Sequence, residues 1–147
     1  MTMASNRKIW TWFEGEWHEG NVPILGSADH GTWLGTMVFD GARFFEGVAP
    51  DLDLHCERVV NSCHALGMKP VMQTGEILEL AREGCTKFDG GTAVYVRPMM
   101  WSTEAGDMTV KILELTLIES GGMAMAVAYV RDHQDTIGYG GQTRRAE

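Results

Sequence analysis

Apolar positions recur with a period of two in some segments of the chain and at steps of three and four in others. Residues Ile9–Phe13 form an aromatic run, IWTWF, and a short turn around Gly15 precedes a second run that begins at Trp17. Two aromatic runs joined by a glycine-containing turn predict a β-hairpin. The segment Thr36–Phe45 is rich in strand-forming residues but is interrupted at Asp40-Gly41. This predicts a strand with a bulge or bend at the glycine.

Two amphipathic helices are predicted in the middle of the chain. The first covers Leu52–Leu66, where Asp51 or Asp53 provides the cap and Gly67 ends the helix. The second covers Thr74–Phe88, with Thr74 as the N-cap and a weak point at Gly84. The apolar stripes consist of Leu52, Cys56, Val59, Val60, Cys63 and Leu66 in the first helix and Ile77, Leu78, Leu80, Ala81 and Cys85 in the second.

The second half of the chain again has strand patterns. Ala93–Trp101 reads as a buried strand, in which Pro98 is expected to place the second half at an edge or a kink. Lys111–Glu119 alternates cleanly between two faces, Met123–Val130 is a further strand, and Arg131–Glu147 is polar and rich in glycine. Strands, then two helices, then strands indicate an α+β fold, with helices on one side of a largely antiparallel sheet.

Composition narrows the class of protein further. A chain of 147 residues corresponds to about one domain, and its net charge of −8 disfavours binding to nucleic acid or to anionic membranes. No apolar run approaches the ~20 residues of a membrane span, and the N-terminus lacks the apolar stretch of a signal peptide. A cytoplasmic protein is therefore expected. Three cysteines without CxxC spacing favour reduced, buried thiols over a zinc site, so no metal is expected.

Most other reactive side chains have a plain structural interpretation. His30 lies in a segment, Asp29–Thr32, that reads as a polar loop, and no second histidine stands at a metal-binding spacing from it. His55 and His64 read as surface residues of the first helix. The ten methionines include several in predicted strands, where they are expected to fill the core.

Two arginines stand out because their neighbours in the sequence are apolar. Arg58 lies in the middle of the first helix, and Arg97 lies in an apolar strand on the same face as Tyr95. A buried cation needs an anionic partner. One interpretation is an ordinary salt bridge to Glu46 or Asp40. The other is a pair of binding sites for phosphate or carboxylate groups, which suit the planar guanidinium.

Four motifs, two of which contain these arginines, resemble in order and spacing the fold-type IV pyridoxal-phosphate enzymes (class IV aminotransferases). Among them the chain is most similar to the N-terminal part of the branched-chain aminotransferases. IWTWFEGEW resembles the opening hairpin W-x-[DN]-G, and Trp33–Arg43 resembles Y-G-x-x-V-F-E-G-[IL]-R. His55–Val59 resembles H-x-x-R-[LM], and Val94–Pro98 resembles Y-[IV]-R-P. The resemblance implies the small N-terminal domain of that fold, pyridoxal phosphate as cofactor and a homodimer as the complete enzyme.

The resemblance also assigns roles to individual residues. Arg58 matches the arginine that binds the cofactor phosphate. Three further residues match family positions that line the substrate pocket: Phe39, Tyr95 and Arg97. Arg97 matches the partner of a substrate carboxylate. Leu34 replaces a common tyrosine and Asp40 replaces the usual glutamate, so the substrate preference stays open. Amine transaminases and aminodeoxychorismate lyases share the scaffold and are alternative subclasses.

The C-terminal part departs from the family pattern. The resemblance implies a small domain at 1–108, strands at 109–137 that lead toward a larger domain, and an atypical tail at 138–147. Arg131–Ile137 resembles R-x-x-x-[DN]-T, after which Gln142 stands where the family has its cofactor-binding lysine. An amide is neither nucleophilic nor basic, so we expect no catalytic residue in this chain. A fragment, a frame-shifted reading and a stand-alone domain all fit this departure.

Three hypotheses for the function follow. The first is a truncated aminotransferase of branched-chain type, inactive alone, whose complete form transfers amino groups between branched-chain amino acids and 2-oxoglutarate. The second is a non-catalytic α+β module that associates with a partner chain through exposed apolar surface. The third is an unrelated acidic enzyme that uses His30, His55 or His64 beside a carboxylate.

Overall fold

The hairpin, helices and strands of the sequence pattern recur in the computed structural model, which describes residues 7–104, 112–119, 137–138 and 142–143. All strand pairs among these residues are antiparallel. In chain order the elements are β1 (Ile9–Phe13), β2 (Glu16–Glu19), α1 (His30–Leu34), β3 (Met37–Phe39), β4 (Ala42–Phe44), α2 (Leu52–Ala65), α3 (Thr74–Cys85), β5 (Val94–Trp101), β6 (Ile112–Glu119), β7 (Ile137–Gly138) and β8 (Gln142–Thr143). The α+β class is confirmed.

The main sheet has the order β2-β1-β6-β5-β3, and β4 also pairs with β5. The predicted hairpin is confirmed, with Trp12 opposite Trp17. Strand β1 pairs on its other side with β6, where Trp10 faces Leu117. The alternation in β6 is confirmed too, because Leu115 and Leu117 are fully buried on the face that packs against α2 and α3. The opposite face, which α1 covers at Trp101, is called the open face below.

The interruption at Asp40-Gly41 is confirmed in position but is not a bulge. Phe39 faces Met99 and Ala42 faces Val96, so neither strand gains a residue across the break. The backbone N–H of Asp40 donates to the carbonyl of Pro98 at 3.1 Å, and Pro98 has no N–H to return the bond. Of the two outcomes expected for the second half of this strand, an edge or a kink, the edge is wrong, because residues 99–101 pair with β3 on one side and β6 on the other. Strand β5 is central, and the proline is accommodated by breaking the neighbouring strand.

The first predicted helix is confirmed as α2, and its end has a Schellman motif. The backbone N–H of Gly67 donates to the carbonyl of His64 at 2.9 Å, and that of Met68 donates to Cys63 at 3.0 Å. Gly67 has a φ of 77°, which favours glycine there. Asp51 occupies the N-cap position but makes no side-chain cap hydrogen bond, so the predicted cap is wrong in its chemistry.

The second predicted helix, α3, begins and ends at slightly different residues. Its N-cap is Gln73 rather than Thr74, because Gln73 and Glu76 have the spacing of a capping box. The Glu76 carboxylate accepts the Gln73 backbone N–H at 2.8 Å. The helix ends at Cys85 rather than Phe88. From Thr86 onward, each backbone N–H donates to the carbonyl three residues earlier instead of four, as in a 3₁₀ turn.

Residues Asp29–Thr32, predicted as a loop, belong in part to the short helix α1, so that prediction is wrong. The N–H of Thr32 donates to the carbonyl of Asp29 at 2.8 Å, and Gly31 packs against Trp101. A helix of five residues is too short for hydrophobic periodicity to reveal.

Gly84 sets the distance between α3 and the sheet. A Cβ atom at this position would lie 2.5 Å from Cη2 of Trp17 and 2.7 Å from Cδ1 of Leu117. We expect Gly84→Ala to lower the free energy of unfolding by about 1–3 kcal/mol, because overpacking outweighs the better helix propensity of alanine. Urea denaturation measures this change. The control is Gly75→Ala in the same helix, where nothing lies within 4 Å, and an equal loss there would contradict the packing explanation.

The three cysteines are free and buried, as predicted. Burial raises the pKa of the Cys56 thiol to about 12 and that of Cys85 to about 11. Both thiols are therefore protonated at neutral pH and are poor nucleophiles.

Two sequence predictions lie wholly or largely outside the described residues. The strand Met123–Val130 is one, and most of the polar segment Arg131–Glu147 is the other. In the part of the chain that the structure describes, every helix is too short or too polar to cross a membrane.

Candidate functional site

Asp40 accepts hydrogen bonds from two side chains of α2. Its Oδ2 atom lies 2.6 Å from Nε of Arg58 and its Oδ1 atom lies 2.8 Å from Nη2, which is a bidentate pair. The same Oδ1 atom lies 2.7 Å from Nδ1 of His55. The Asp40 side chain is only 6% exposed, whereas that of Arg58 is 53% exposed. The carboxylate therefore fixes the orientation of a guanidinium that solutes can still reach.

Charge and hydrogen bonding keep Asp40 ionised. Burial alone raises the pKa of this carboxyl, but the hydrogen bonds from His55 and Arg58 and the charge of Arg58 outweigh burial and lower it to about 2. Nδ1 of His55 also lies 2.8 Å from Nη2 of Arg58. That nitrogen donates to Asp40 when it carries a proton and accepts from Arg58 when it does not.

Asp40→Asn tests whether the charge of this pair stabilises the fold. A folded-state pKa below the ordinary value of 3.8 means that the ionised carboxylate stabilises the protein above about pH 4, and that this stabilisation is lost as the pH falls toward 2. We expect Asp40→Asn to lower the free energy of unfolding by about 2 kcal/mol at pH 7 and by much less at pH 2.5. Urea denaturation at both pH values measures this. Glu57→Gln, an exposed glutamate of α2 beside Arg58, is the control, and an equal loss for Asp40→Asn at both pH values would contradict the assignment.

The three predicted pocket residues Phe39, Tyr95 and Arg97 share the open face. Tyr95, Arg97 and Met99 alternate along β5 on one side, and Phe39 faces Met99 from β3. The residue Phe39 is 60% exposed and the Arg97 side chain is 30% exposed. Arg43, which sequence reasoning did not select, lies opposite Tyr95 with its guanidinium 4.8 Å from the ring centre.

Arg97 has an acidic neighbour that sequence reasoning also missed. Its Nη2 atom lies 3.8 Å from Oε2 of Glu114 and 3.4 Å from Oγ1 of Thr116. Glu114 is fully buried. Burial raises the pKa of this carboxyl to about 8, against the lowering effect of Arg97. A glutamate amid the apolar residues of β6 was the available sequence signal.

The segment Asp40-Gly41 joins the two sides of the sheet. The Gly41 N–H donates to Oδ1 of Asp40 at 2.7 Å on the helix side. A Cβ atom at Gly41 would lie 2.5 Å from the hydroxyl oxygen of Tyr95, so the tyrosine packs directly against the glycine backbone on the open face. The interrupted strand thus supports Arg58 on one face and the predicted pocket residues on the other.

Several sequence expectations are corrected here. Arg58 is half-exposed rather than buried, and its partner is Asp40, one of the two salt-bridge partners considered. The partner of Arg97 is Glu114, because β6, distant in sequence, pairs with β5. His55 lies beside a carboxylate, while Nδ1 of His30 contacts Oγ1 of Thr36 at 2.7 Å.

Other candidate positions add little to this arrangement. His64 is exposed on α2, and Gln142 is described only by its backbone pairing in the short strand β8. Within the described ranges, no group of three or more histidine, cysteine, aspartate or glutamate side chains is arranged to hold a metal ion. A separate surface cavity of about 560 Å³ between α2, α3 and β4 is lined by residues such as Leu52 and Arg82, away from the open face.

Comparison with known proteins agrees with the resemblance in the motifs. No family model matches the chain. A probable branched-chain-amino-acid aminotransferase of Rickettsia bellii is 29% identical over 102 residues, which are 69% of this chain and 35% of that relative. The corresponding protein of Rickettsia felis is 29% identical over 114 residues, 76% of this chain and 38% of that relative.

Solved structures that resemble this chain are also aminotransferases. An aminotransferase of Brucella abortus bound to pyridoxal phosphate superimposes with a TM-score of 0.72 and 48% identity, covering 78% of this chain and 43% of that one. The Escherichia coli branched-chain aminotransferase, at 20% identity and a TM-score of 0.64, supports the fold alone, over 40% of its length. The chain is therefore similar to the N-terminal part of fold-type IV aminotransferases, as predicted, and spans well under half of these relatives.

Proposed function

We propose that this chain is the N-terminal portion of a pyridoxal-phosphate-dependent aminotransferase of branched-chain type. The observation that carries the proposal of an aminotransferase is the 48% identity with the Brucella abortus aminotransferase over 78% of the chain, and the branched-chain type rests on the Rickettsia relatives at 29% identity. In the complete enzyme, the reaction is amino-group transfer between branched-chain amino acids and 2-oxoglutarate. We further propose a cytoplasmic homodimer as its working form, with an amino acid and a 2-oxo acid as its substrates.

Arg58 is the residue of this chain proposed to hold the cofactor phosphate. Its guanidinium is charged, oriented by Asp40 and 53% exposed, which suits one contact to a phosphate group. Pyridoxal phosphate, when bound, supplies an electron sink for the carbanion formed at the substrate α-carbon. Asp40 is proposed to keep the Arg58 fork aimed at the phosphate, and His55 is proposed to brace Asp40 from the same helix.

Arg97, Tyr95 and Phe39 are proposed to form the substrate side of the pocket. Arg97 provides a cation for a substrate carboxylate. The exposed ring of Phe39 and the half-buried ring of Tyr95 provide apolar surface on the same face, which suits an aliphatic side chain. Such a wall combines apolar contact with one charged anchor, and it excludes water from an aliphatic group while it orients the carboxylate.

Transamination requires an amine that moves the α-proton, and this chain is proposed to lack it. Gln142 takes the position that the lysine has in the family pattern, and no lysine follows Lys111 in the sequence. The amide of glutamine does not accept a proton at neutral pH. The chain alone is therefore expected not to transfer amino groups.

A chimera with the Brucella abortus enzyme tests this function. Residues 7–104 of this chain replace the matching segment of that enzyme, which keeps the remainder of its own chain. We expect the chimera to transfer amino groups from leucine to 2-oxoglutarate, and the 147-residue chain alone to show no transfer. A folded chimera that binds cofactor yet transfers nothing from leucine, isoleucine or valine would overturn the proposal of a branched-chain type.

The alternative in which the chain is a non-catalytic module has one supporting observation. Trp33, Leu34 and Phe39 are more than half exposed, and apolar side chains of this size usually pack against another surface. Size-exclusion chromatography distinguishes the two, because a well-behaved monomer would favour an independent module.

A further inference from the structure

The open face contains one buried acidic side chain whose polar atoms are unpaired. Neither carboxylate oxygen of Glu114 has a hydrogen-bond partner among the described residues, and the same holds for Nε of Arg97. The nearest approach of the two groups is 3.8 Å, between Oε2 of Glu114 and Nη2 of Arg97, which is too long for a hydrogen bond. A guanidinium and a carboxyl group thus lie side by side with three polar atoms unsatisfied, which is unusual in a folded protein.

Arg97 is the charged group that lies against Glu114. The other titratable or charged side chains on this side of the described sheet are Tyr95 on β5, Arg43 on β4, Glu16 and His18 on β2, and Asp29 and His30 at α1, which packs against Trp101. Strands β1 and β3 contribute only uncharged side chains to this face. Arg43 is engaged with the Tyr95 ring at 4.8 Å. The charge state of the pair therefore depends on Glu114 alone at moderate pH.

Glu114 and Arg97 differ in their exposure to solvent. Glu114 is fully buried, while 30% of the Arg97 side chain is exposed. A ligand arriving at the open face contacts the guanidinium and not the carboxyl. When Glu114 is ionised, Arg97 already has a counter-ion. When Glu114 is protonated, the full positive charge of Arg97 is available to an anionic ligand.

We propose that Glu114 is the internal counter-ion of Arg97, so that a carboxylate ligand binds Arg97 with uptake of one proton by Glu114. The ligand carboxylate then replaces the Glu114 carboxylate as partner of the guanidinium, and the proton comes from solvent. The proposal rests on the assignment of Arg97 as the carboxylate site under the proposed function. Glu114 is in this account a positioning residue, since it acts through Arg97 and does not touch the substrate.

Protonation of Glu114 and binding of a carboxylate at Arg97 must then favour each other by the same coupling free energy. A bound carboxylate offsets the charge of Arg97 and makes ionisation of Glu114 harder, and an ionised Glu114 makes carboxylate binding weaker. The pKa of Glu114, raised to about 8 by burial, places this effect between neutral and mildly alkaline pH. We expect the affinity for a carboxylate ligand to fall about tenfold between pH 6.5 and pH 9.5.

The test uses 2-oxoglutarate as the probe and the 147-residue chain labelled with ¹³C in its glutamate side chains. Dissociation constants are measured by NMR titration at pH 6.5 and pH 9.5, together with the Glu114 carboxyl signal. For the wild type we expect the tenfold loss of affinity and a Glu114 signal that moves toward its protonated position as ligand is added. Glu114→Gln, which mimics the protonated carboxyl, is expected to bind equally at both pH values. Glu79→Gln on exposed α3 surface is the matched control and should behave as the wild type does.

The outcomes separate the inference from the function on which it rests. If the wild type binds through Arg97 but Glu114→Gln keeps the same pH dependence, Glu114 is not the counter-ion and this inference alone is overturned. If Arg97→Met binds 2-oxoglutarate as tightly as the wild type, Arg97 is not the carboxylate site, and its proposed role fails together with the inference. A binding constant independent of pH in the wild type also overturns the inference.

Discussion

Glu114→Gln will raise the free energy of unfolding by about 3 kcal/mol at pH 8 and by less than about 1 kcal/mol at pH 5. Burial raises the pKa of Glu114 in the folded protein to about 8, from the ordinary glutamate value of 4.5. Between these values the unfolded chain has lost the proton and the folded chain still holds it. The wild type therefore loses stability as the pH rises from about 4.5 to 8, and glutamine, which does not ionise, avoids this loss.

Urea denaturation of both proteins at pH 5 and pH 8 measures the effect. The exposed Glu79→Gln control should change the free energy of unfolding by less than about 0.5 kcal/mol at either pH. If Glu114→Gln destabilises the protein equally at both pH values, the carboxylate is ionised and productively paired with Arg97 in the folded state. The internal counter-ion would then be permanent, and no proton would accompany ligand binding.

Arg97→Ala will weaken the apparent affinity of the chimeric enzyme for 2-oxoglutarate by about 100-fold. A hydrogen-bonded pair between a guanidinium and a carboxylate contributes about 1.5–3 kcal/mol, and each 1.4 kcal/mol corresponds to a factor of ten. Steady-state kinetics with varied 2-oxoglutarate measure the change in KM and kcat.

Two control variants make the Arg97 result specific. Arg97→Lys keeps the charge but loses the planar fork and should recover part of the affinity. Arg82→Ala removes an arginine from the separate cavity between α2, α3 and β4 and should leave the affinity for 2-oxoglutarate unchanged. Unchanged affinity in Arg97→Ala would show that the substrate carboxylate binds elsewhere.

Elements whose pattern is local could be predicted from the sequence. Helix α2 was predicted almost to its ends, because apolar residues recur at three and four positions and Gly67 follows the last turn. The β1–β2 hairpin and the two faces of β6 were predicted because aromatic runs and strict alternation encode them directly. By contrast, the pairing of β1 with β6 joins segments about a hundred residues apart, and nothing local specifies that choice.

In the candidate site, too, local features could be predicted from the sequence and long-range contacts could not. Arg58 and Arg97 could be selected because a cation among apolar residues is unusual in sequence. Their partners could not be assigned with the same certainty, since Asp40 meets Arg58 only after the strand break opposite Pro98 turns its carboxylate toward α2. Glu114 was missed because its burial depends on the central position of β5 beside β6, which sequence patterns do not show.

Fixation of pyridoxal phosphate with borohydride tests the central claim most directly, namely that this chain supplies phosphate and substrate contacts but not the lysine. The purified chain is incubated with increasing pyridoxal phosphate, reduced, and analysed by intact mass and peptide mapping. Its four lysines are Lys8, Lys69, Lys87 and Lys111, and two of them lie against aromatic rings, Lys8 over Phe88 and Lys87 over Trp10. We predict no saturable adduct at any single lysine. A stoichiometric adduct on one lysine, formed with saturation, would contradict the account and assign covalent cofactor chemistry to this chain itself.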